Sequence, residues 1–129
     1  MLIDAPCTGT GTWRRNPDAK WRMRPGALEV RLKDQVTVLD RAAALVKPGG
    51  RIAYITCSVL PQENNEQIHA FLARHAGFAV VPPSQTVTVL WDKAEEFAAA
   101  ALQSDEGWLM TPRRTGTDGF FVSVVARQK

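Results

Sequence analysis

The fold class follows from residues 47–58, which read Lys47-Pro48-Gly49-Gly50-Arg51-Ile52-Ala53-Tyr54-Ile55-Thr56-Cys57-Ser58. Proline cannot continue a helix, and glycine accepts the left-handed conformation that commonly ends one, so residues 47–50 predict a helix end. The mostly apolar run at 51–56 predicts a strand covered on both faces. Cys57 and Ser58 close this strand, which places a thiol at its carboxyl end.

Helical patterns lie on both sides of the strand. Between Leu28 and Val46 the apolar residues recur at steps of three and four, which gives one helical face. A second helix is predicted from Pro61 to His75, because proline suits a first turn and acidic side chains are favourable near a helix N-terminus. A chain in which helices alternate with buried strands belongs to the α/β class.

Shorter segments complete the predicted order of elements. A very short apolar run ends at Asp4, and residues 5–26 form a long loop, which is usually functional in a compact domain. The other predicted elements are strands at 78–81, 86–90, 108–110 and 119–126, and a helix over 93–103 with an Asp92–Glu95 capping box. Since no glycine-rich opening βαβ unit is present, the pattern predicts the second half of a doubly wound fold.

Composition limits the classes of protein that fit. The 129 residues are 45% hydrophobic and 22% charged, which is typical of one globular domain or part of one and excludes a disordered tail. No apolar run approaches the ~20 residues of a membrane span, and Met1 begins no signal peptide, so we expect a cytoplasmic protein. In that reducing compartment Cys7 and Cys57 are not expected to form a structural disulfide. Two cysteines cannot build a four-ligand zinc site alone, and no metal is predicted.

Charge is distributed unevenly along the chain. There are 16 basic and 13 acidic residues, a net charge of +3. Residues 14–33 hold seven bases and two acids, a net +5 that leaves −2 for the rest. Basic side chains clustered on a long loop favour a nucleic-acid partner, and the alternative is a solvated surface without a ligand.

Both cysteines follow predicted strands. Cys7 comes three residues after Asp4, and Cys57 directly follows the strand at 51–56. Because ligands bind beyond the carboxyl ends of strands in open α/β sheets, neighbouring strands would bring both thiols and the Asp4 carboxylate to one rim. A thiol in such a place can have a lowered pKa and act as a nucleophile. A lone cysteine is more commonly a small buried apolar residue, but two at strand ends favour an active site.

Five motifs in this order resemble the Sun/Fmu family of RNA (cytosine-5)-methyltransferases. They are Asp4-Ala5-Pro6-Cys7-Thr8-Gly9-Thr10-Gly11, Arg15-Asn16-Pro17-Asp18-Ala19-Lys20-Trp21, Lys47-Pro48-Gly49-Gly50, Thr56-Cys57-Ser58-Val59-Leu60-Pro61 and Asp118-Gly119-Phe120-Phe121. The pair of cysteine motifs is specific. The resemblance implies the C-terminal half of a Rossmann-like class I methyltransferase fold, with a mostly parallel sheet and an antiparallel last strand.

The resemblance also implies a reaction and its residues. S-adenosylmethionine would be the cofactor and RNA the substrate, with ribosomal RNA favoured over transfer RNA. Cys57 would be the nucleophile that adds to carbon 6 of cytosine and so activates carbon 5. Cys7 would help to resolve the covalent adduct, and Asp4 would face both the base and the cofactor.

The loop after Cys7 suits an RNA whose target base has left its stack. Trp13 and Trp21 offer stacking faces, whereas Trp91 and Trp108 are expected to pack in the core. Phosphate contacts are expected from Arg14, Arg15, Lys20, Arg22 and Arg24.

One part of the family pattern is missing. Family members carry a glycine-rich cofactor loop before the first cysteine motif, and residues 1–129 contain none. We therefore expect residues 1–129 to be a partial catalytic domain that lacks the N-terminal cofactor-binding half and is inactive alone. Of the cofactor contacts only Asp4 is present. The strand ending at Asp4 would have an unpaired apolar edge, through which we expect self-association.

Two other functions stay open on the sequence alone. A non-catalytic RNA-binding or interaction module could retain the motifs by descent. A thiol enzyme of another class, such as an acyl transferase or hydrolase, could use Cys57. That enzyme needs a histidine or lysine base, and no neighbour in the sequence offers one, so it is the weakest alternative.

Overall fold

The computed structural model describes residues 1–129 and contains one six-stranded sheet with helices packed against it. The strands are β1 (Leu2–Asp4), β2 (Arg51–Thr56), β3 (Phe78–Val80), β4 (Leu102–Gln103), β5 (Trp108–Met110) and β6 (Phe120–Arg127). The helices are α1 (Ala19–Arg22), α2 (Ala27–Leu45), α3 (Asn65–Arg74), α4 (Pro83–Thr86), α5 (Ala94–Ala100) and α6 (Pro112–Thr115). Three 3-10 turns occupy Thr10–Thr12, Pro61–Glu63 and Val87–Lys93. None of the helices has the length and apolar character that a membrane crossing needs.

The sheet has the strand order β1-β2-β6-β5-β4, and β3 also pairs with β6. β1 and β2 are parallel, whereas β6 is antiparallel to β2, β3 and β5. The predicted α/β class and the antiparallel last strand are confirmed. The sequence predicted a mostly parallel sheet, and β1, β2, β3 and β5 do run in the same direction. These four strands are not, however, all paired with one another. Because β6 lies between β2 and the other two, only the β1–β2 ladder is parallel.

The core lies between the sheet and helices α2 and α3. Its fully buried side chains come from both layers: Leu39, Ile52, Tyr54, Ile68, Phe71, Phe121 and Val125. Every second side chain of β2 faces the helices, and the predicted helix at 28–46 is confirmed as α2. Burial of each large apolar side chain stabilises the fold by about 1.5–3 kcal/mol. This layer therefore fixes β2 and the cysteine that follows it.

The second predicted helix, over 61–75, is divided in two. A 3-10 turn comes first, and α3 begins only at Asn65. Between them Asn64 has a non-helical backbone, and its buried side-chain amide bonds to Thr56 and Ser58 at the end of β2. The contact with β2 therefore interrupts the helix.

Residues 86–90 form no strand, contrary to the prediction. Pro83 opens helix α4, and the N–H groups of Gln85 and Thr86 donate to the Pro82 carbonyl. The backbone of this segment thus finds its hydrogen-bond partners locally, and the chain continues in a 3-10 turn.

The start of α5 also differs from the prediction. No Asp92–Glu95 capping box forms, since Lys93 holds the cap position and no side chain caps this helix. Trp91 is 87% exposed rather than packed, whereas Trp108 is buried as predicted. The segment between α4 and α5 therefore presents an aromatic side chain to solvent.

β1 forms one edge of the sheet, since it pairs only with β2. Leu2 is 69% exposed there, and its register partner Ala53 is only partly buried. The unpaired apolar edge that the sequence predicted is therefore present.

Candidate active site at the cysteine pair

The two cysteines come together at the carboxyl edge of the sheet. β1 and β2 are parallel neighbours, so the residues that follow them leave the sheet side by side. The Sγ atoms of Cys7 and Cys57 lie 3.3 Å apart, and both thiols are free and half-buried. The predicted convergence of the two thiols on one rim is confirmed.

The two thiols differ in acidity because one donates a hydrogen bond to the other. The Cys7 thiol donates to the sulfur of Cys57, which lowers the pKa of Cys57 to about 7. The same bond, together with burial, raises the pKa of Cys7 far above its usual range. The bond therefore favours the thiolate form of Cys57 and the protonated form of Cys7.

Asp4 lies at the same edge. It is the register partner of Ile55, two residues before Cys57, so strand alternation places Asp4 and Cys57 on the same side of the sheet. The Asp4 carboxylate is exposed, and its negative charge is close enough to oppose ionisation of Cys57. The three predicted catalytic residues thus share one rim.

Hydrogen bonds join the loop after β1 to the loop after β2; we call these loops, residues 5–12 and 57–64, the junction. The side chains of Thr10 and Ser58 bond to each other at 3.1 Å, and the Val59 N–H donates to Thr10 Oγ1 at 3.0 Å. The Gly11 N–H donates to the Cys57 carbonyl at 2.9 Å. These bonds fix the relative position of the two loops that carry the thiols.

A third loop, before β6, packs against the junction. The Gly119 N–H donates to the Gly11 carbonyl at 2.7 Å, and a Cβ on Gly11 would lie 2.1 Å from the Gly119 carbonyl oxygen. A Cβ on Gly119 would lie 2.6 Å from Val59. Only glycine fits these close approaches, so two motifs that are distant in the sequence meet at one point.

A buried carboxylate that the sequence did not single out adjoins the thiols. Glu63 is fully buried, and its two carboxylate oxygens accept hydrogen bonds from the Thr8 N–H and hydroxyl at 2.8 and 2.6 Å. Gln35 of α2 donates a third bond to the same carboxylate at 3.0 Å. In the sequence Glu63 is one more acid near a helix N-terminus. Only the folded chain brings it to Thr8, 55 residues away.

Asp118 holds the start of the exposed basic loop, residues 13–26. The Arg15 guanidinium lies 2.6 Å from the Asp118 carboxylate, and Arg14 lies 3.5 Å from it. Arg15 holds the pKa of Asp118 below its usual range, and Asp118 raises the pKa of Arg15. Both arginine side chains remain exposed, so they stay accessible to a phosphate.

The rest of the basic loop presents an aromatic ring between basic groups. Trp21 is 80% exposed, and the Lys20 ammonium lies 4.7 Å from its ring centre. Arg22 is exposed and pairs with Asp18 at 3.0 Å. An exposed tryptophan flanked by cations is an arrangement that suits unstacked nucleotides.

A cavity of about 320 Å³ lies between the basic loop, α2 and the first cysteine. Its wall includes Cys7 as well as Arg22, Arg24 and Arg31. Guanidinium groups bind phosphates with good geometry, so three of them beside the thiol pair favour an anionic ligand. Two of the predicted RNA-contact residues thus border the same cavity as a predicted catalytic residue.

Neither of the two histidines bonds to a cysteine. His69 pairs with Glu106, and His75 lies 2.8 Å from Asp40. Cys57 is partnered by Cys7 instead, so neither histidine is bonded to it as the base that a thiol hydrolase or acyl transferase needs. No three histidine, cysteine or acidic side chains are grouped so that they could hold a metal ion.

The chain is similar in sequence to known RNA methyltransferases. Residues 1–126 match the family described as 16S rRNA methyltransferase RsmB/F. The ribosomal RNA small subunit methyltransferase B of Shewanella oneidensis is 40% identical over 121 residues, which cover 94% of this chain and 25% of that protein. The Vibrio vulnificus protein of the same name is 35% identical over 128 residues, which cover 99% of this chain and 26% of that protein. The chain thus spans about a quarter of the length of these relatives.

Solved structures share the fold. The crystal structure of PH0851 matches with a TM-score of 0.76 at 34% identity, over 99% of this chain and 26% of that chain. The structure of NSun6 from Pyrococcus horikoshii with SFG has a TM-score of 0.71 at 20% identity, over 99% of this chain and 29% of that chain. The predicted Rossmann-like fold is therefore confirmed. Because the family match covers nearly its whole length, the chain belongs to the 16S rRNA methyltransferase RsmB/F family.

Proposed function

We propose that the catalytic domain to which residues 1–129 belong transfers a methyl group from S-adenosylmethionine to carbon 5 of a cytosine in RNA, with Cys57 as the nucleophile. The observation that carries this proposal is the cysteine pair. Its sulfur atoms lie 3.3 Å apart, and the pKa of Cys57 is lowered to about 7. The relatives are ribosomal RNA methyltransferases, which favours ribosomal RNA over transfer RNA as the substrate.

The chemistry explains why a thiolate is needed. Carbon 5 of cytosine is too poor a nucleophile to take a methyl group unaided. When the Cys57 thiolate bonds to carbon 6, the electrons of the ring double bond shift toward the ring nitrogen, and carbon 5 becomes an enamine carbon. A thiol with a pKa near the ambient pH combines a useful thiolate fraction with good nucleophilicity.

Asp4 supports this step from the same rim. Its exposed carboxylate suits a hydrogen bond from the cytosine amino group, which favours protonation of the neighbouring ring nitrogen as carbon 6 is attacked. An exposed carboxylate at the carboxyl end of β1 also fits one side of S-adenosylmethionine, which supplies the methyl group when bound. The NSun6 structure contains SFG, an analogue of that cofactor. Of the family's cofactor contacts, Asp4 alone is present in residues 1–129.

Cys7 serves the end of the cycle. In the resting pair its thiol donates to Cys57 and stabilises the thiolate. After methylation, release requires transfer of the carbon 5 proton to a base. The electrons of that bond restore the ring double bond, and the bond between carbon 6 and Cys57 Sγ breaks to give back the Cys57 thiolate. We assign Cys7 to this release step because its sulfur lies beside the departing sulfur.

The basic loop binds the RNA around the target cytosine in this proposal. Trp21 stacks on an unpaired base, since its ring is exposed. Phosphates are contacted by the exposed cationic groups of Arg14, Arg15, Lys20 and Arg22. Arg22 also borders the cavity beside Cys7, so it connects the phosphate contacts to the thiol pair.

Residues 1–129 hold only part of the cofactor site in this proposal. They span about a quarter of the relatives and contain no glycine-rich cofactor loop. We therefore propose a partial catalytic domain that lacks the N-terminal cofactor-binding half and is inactive alone. The unpaired edge of β1, with Leu2 exposed, favours self-association of the isolated chain. Two free thiols suit the reducing cytoplasm, where we place the protein.

A chimera tests the proposed reaction. Residues 1–129 replace the matching quarter of the Shewanella oneidensis relative, and the chimera is incubated with S-adenosylmethionine and RNA that contains 5-fluorocytosine. The fluorine occupies the position of the proton that must leave, so a covalent adduct should accumulate. The adduct should disappear in Cys57→Ala, whereas Cys7→Ala should accumulate an adduct even on ordinary RNA. A folded chimera without any adduct, or an adduct that survives Cys57→Ala, contradicts the proposal.

A non-catalytic RNA-binding module is the second candidate, and the exposed Trp21 within the basic loop favours it. The isolated chain and the chimera together separate the two functions. RNA binding by both, without methylation or adduct formation by the chimera, supports the module. An adduct on Cys57 supports the enzyme, whatever the activity of the isolated chain.

A further inference from the structure

We propose that Glu63 is a positioning residue of the cysteine pair: through Thr8 it holds Cys7 in place to donate its proton toward Cys57. The inference rests on the proposed role of Cys57 as nucleophile. Glu63 reaches neither thiol by a hydrogen bond, so its hydrogen bonds act on the cysteine pair only through Thr8 and Gln35.

Glu63 holds the first cysteine loop, residues 5–12, through two hydrogen bonds to Thr8, and we call this contact the clamp. Both of its carboxylate oxygens bond to Thr8, the residue directly after Cys7, at 2.8 and 2.6 Å. One bond fixes the backbone of Thr8 and the other fixes its side chain. A displacement of Thr8 therefore moves the Cys7 sulfur out of the 3.3 Å contact with Cys57.

Glu63 is itself held by the core of the domain. The Tyr54 hydroxyl of β2 donates to the Glu63 carbonyl at 2.7 Å, and Gln35 of α2 donates to its carboxylate at 3.0 Å. The same Gln35 amide group also donates to the Pro6 carbonyl at 2.9 Å, just before Cys7. The first cysteine loop is thus bonded on both sides of its thiol to groups that are themselves held by β2 and α2.

A stabilising ion pair does not explain this carboxylate. Glu63 is fully buried, and it forms no salt bridge with any lysine, arginine or histidine. Burial of a charged group is unfavourable unless hydrogen bonds satisfy it, and here the donors come from Thr8 and Gln35. Burial of this carboxylate is unfavourable, and two of its hydrogen bonds come from Thr8. We infer that the position of Thr8 is what the carboxylate serves to fix.

The charge of Glu63 and its hydrogen bonds act on Cys57 in opposite directions. Asp4 and Glu63 both face Cys57 with negative charge, which opposes its ionisation, and the donated bond from Cys7 promotes it. Loss of the charge alone would lower the pKa of Cys57. Loss of the clamp would raise it. The sign of the change therefore separates a positioning role from a purely electrostatic one.

The test is the rate at which iodoacetamide alkylates Cys57 as a function of pH, with the site of modification read by mass spectrometry. The wild-type chain should show a midpoint near the pKa of about 7. In Glu63→Gln the amide nitrogen can only donate to the Thr8 hydroxyl, so the charge-assisted bond that holds Thr8 is replaced by a weaker neutral one, and the midpoint should move up toward the usual thiol range. At pH 7 the variant should react about fivefold to tenfold more slowly, since its smaller thiolate fraction is partly offset by higher nucleophilicity. At alkaline pH it should react faster than wild type.

Two controls keep the result specific. Glu106 is another buried carboxylate, hydrogen-bonded to Asn65 and Ser104, and it does not contact the thiols. Glu106→Gln should therefore leave the midpoint of Cys57 alkylation unchanged. Thr8→Val removes the hydroxyl bond but keeps the Glu63 charge, and it should raise the midpoint, whereas Thr8→Ser should restore it. If Glu63→Gln fails to fold, this pair of Thr8 variants decides the question.

An unchanged or lowered midpoint in Glu63→Gln and Thr8→Val overturns the proposal. Alkylation needs neither RNA nor cofactor, so its outcome is separate from that of the chimera. A raised midpoint in the variants without any RNA adduct on the chimera would support the positioning role of Glu63 and contradict the proposed methylation. An RNA adduct on the chimera without a raised midpoint in the variants would support the methylation and contradict the positioning role.

Discussion

The junction and the basic loop lie next to each other at the carboxyl edge of the sheet, yet they are built in opposite ways. In the junction, Thr10, Ser58 and Glu63 are buried, and their polar groups are paired within the chain. In the basic loop, Trp21 is 80% exposed, and the ion pairs that reach outside the loop both end on Asp118.

This difference matches two tasks. Bond formation at a thiol requires reacting atoms to be held within a few tenths of an ångström, which only a densely bonded region provides. Phosphates and unstacked bases are bound by exposed charges and rings whose side chains adapt to the ligand. Substitutions in the junction should therefore act on stability and chemistry, whereas substitution of the exposed Trp21 in the basic loop should act on RNA binding.

Gly11→Ala should have the largest effect, because it breaks the junction. Its Cβ would lie 2.1 Å from the Gly119 carbonyl oxygen, which is backbone and cannot yield. We expect a loss of about 3 kcal/mol in the free energy of unfolding, measured by urea denaturation. Gly77→Ala is the matched control, since a Cβ there meets nothing within 4 Å, and its effect should be smaller than about 1 kcal/mol. Equal losses in both variants would show that the junction is not tightly packed.

Trp21→Ala should have the next largest effect, and it should change RNA binding rather than stability. Loss of a stacking ring weakens binding of single-stranded RNA by about 1–3 kcal/mol, without a change in unfolding free energy. Fluorescence anisotropy with a short labelled RNA measures the first quantity, and urea denaturation the second. Trp91→Ala removes an equally exposed tryptophan outside the basic loop and should leave the affinity unchanged. Equal weakening in both variants would show that any exposed aromatic ring suffices.

Asp118→Asn should have the smallest effect, because Arg15 is 60% exposed and its pair with the buried Asp118 is screened by water from that side. The pKa of Asp118 is lowered in the folded chain, so the pair stabilises the fold above the unfolded pKa of about 4 and is lost as the pH falls through the folded pKa. The thermal midpoint of wild type should slightly exceed that of Asp118→Asn at pH 7, and the two should converge in acid. Asp105→Asn, at an exposed acid without an ion pair, should match wild type throughout. A difference that persists in acid would contradict the assigned pair.

Local patterns predicted the parts of the fold that depend on local forces. The strand at 51–56 and helix α2 were predicted correctly because apolar periodicity and the helix end at residues 47–50 act within a few residues. The strand at 86–90 was predicted wrongly, since an alternating run of five residues does not reveal that Pro83 starts a helical turn before it. The pairing of β6 between β2 and β5 was also beyond local reasoning, because it is set by the packing of the whole sheet.

In the candidate site too, residues placed by a general rule were predicted, and residues placed by contacts between distant parts of the sequence were missed. Cys7, Cys57 and Asp4 were predicted to share a rim because strand ends in α/β sheets converge by a general rule. Glu63 and Asp118 were missed as parts of the site, since an acid near a helix N-terminus and an acid in a turn have ordinary local explanations. Their contacts join residues 55 and 103 positions apart, and only the folded chain displays them.

The single tyrosine of the chain gives the cysteine pair an optical reporter. The Tyr54 hydroxyl is buried and bonds to the Glu63 carbonyl, and burial raises its pKa far above the usual value near 10. The phenol therefore stays protonated in alkaline solution for as long as the surrounding side chains enclose it. The appearance of phenolate absorbance would record the loss of that enclosure in one ultraviolet measurement, without any label on the protein.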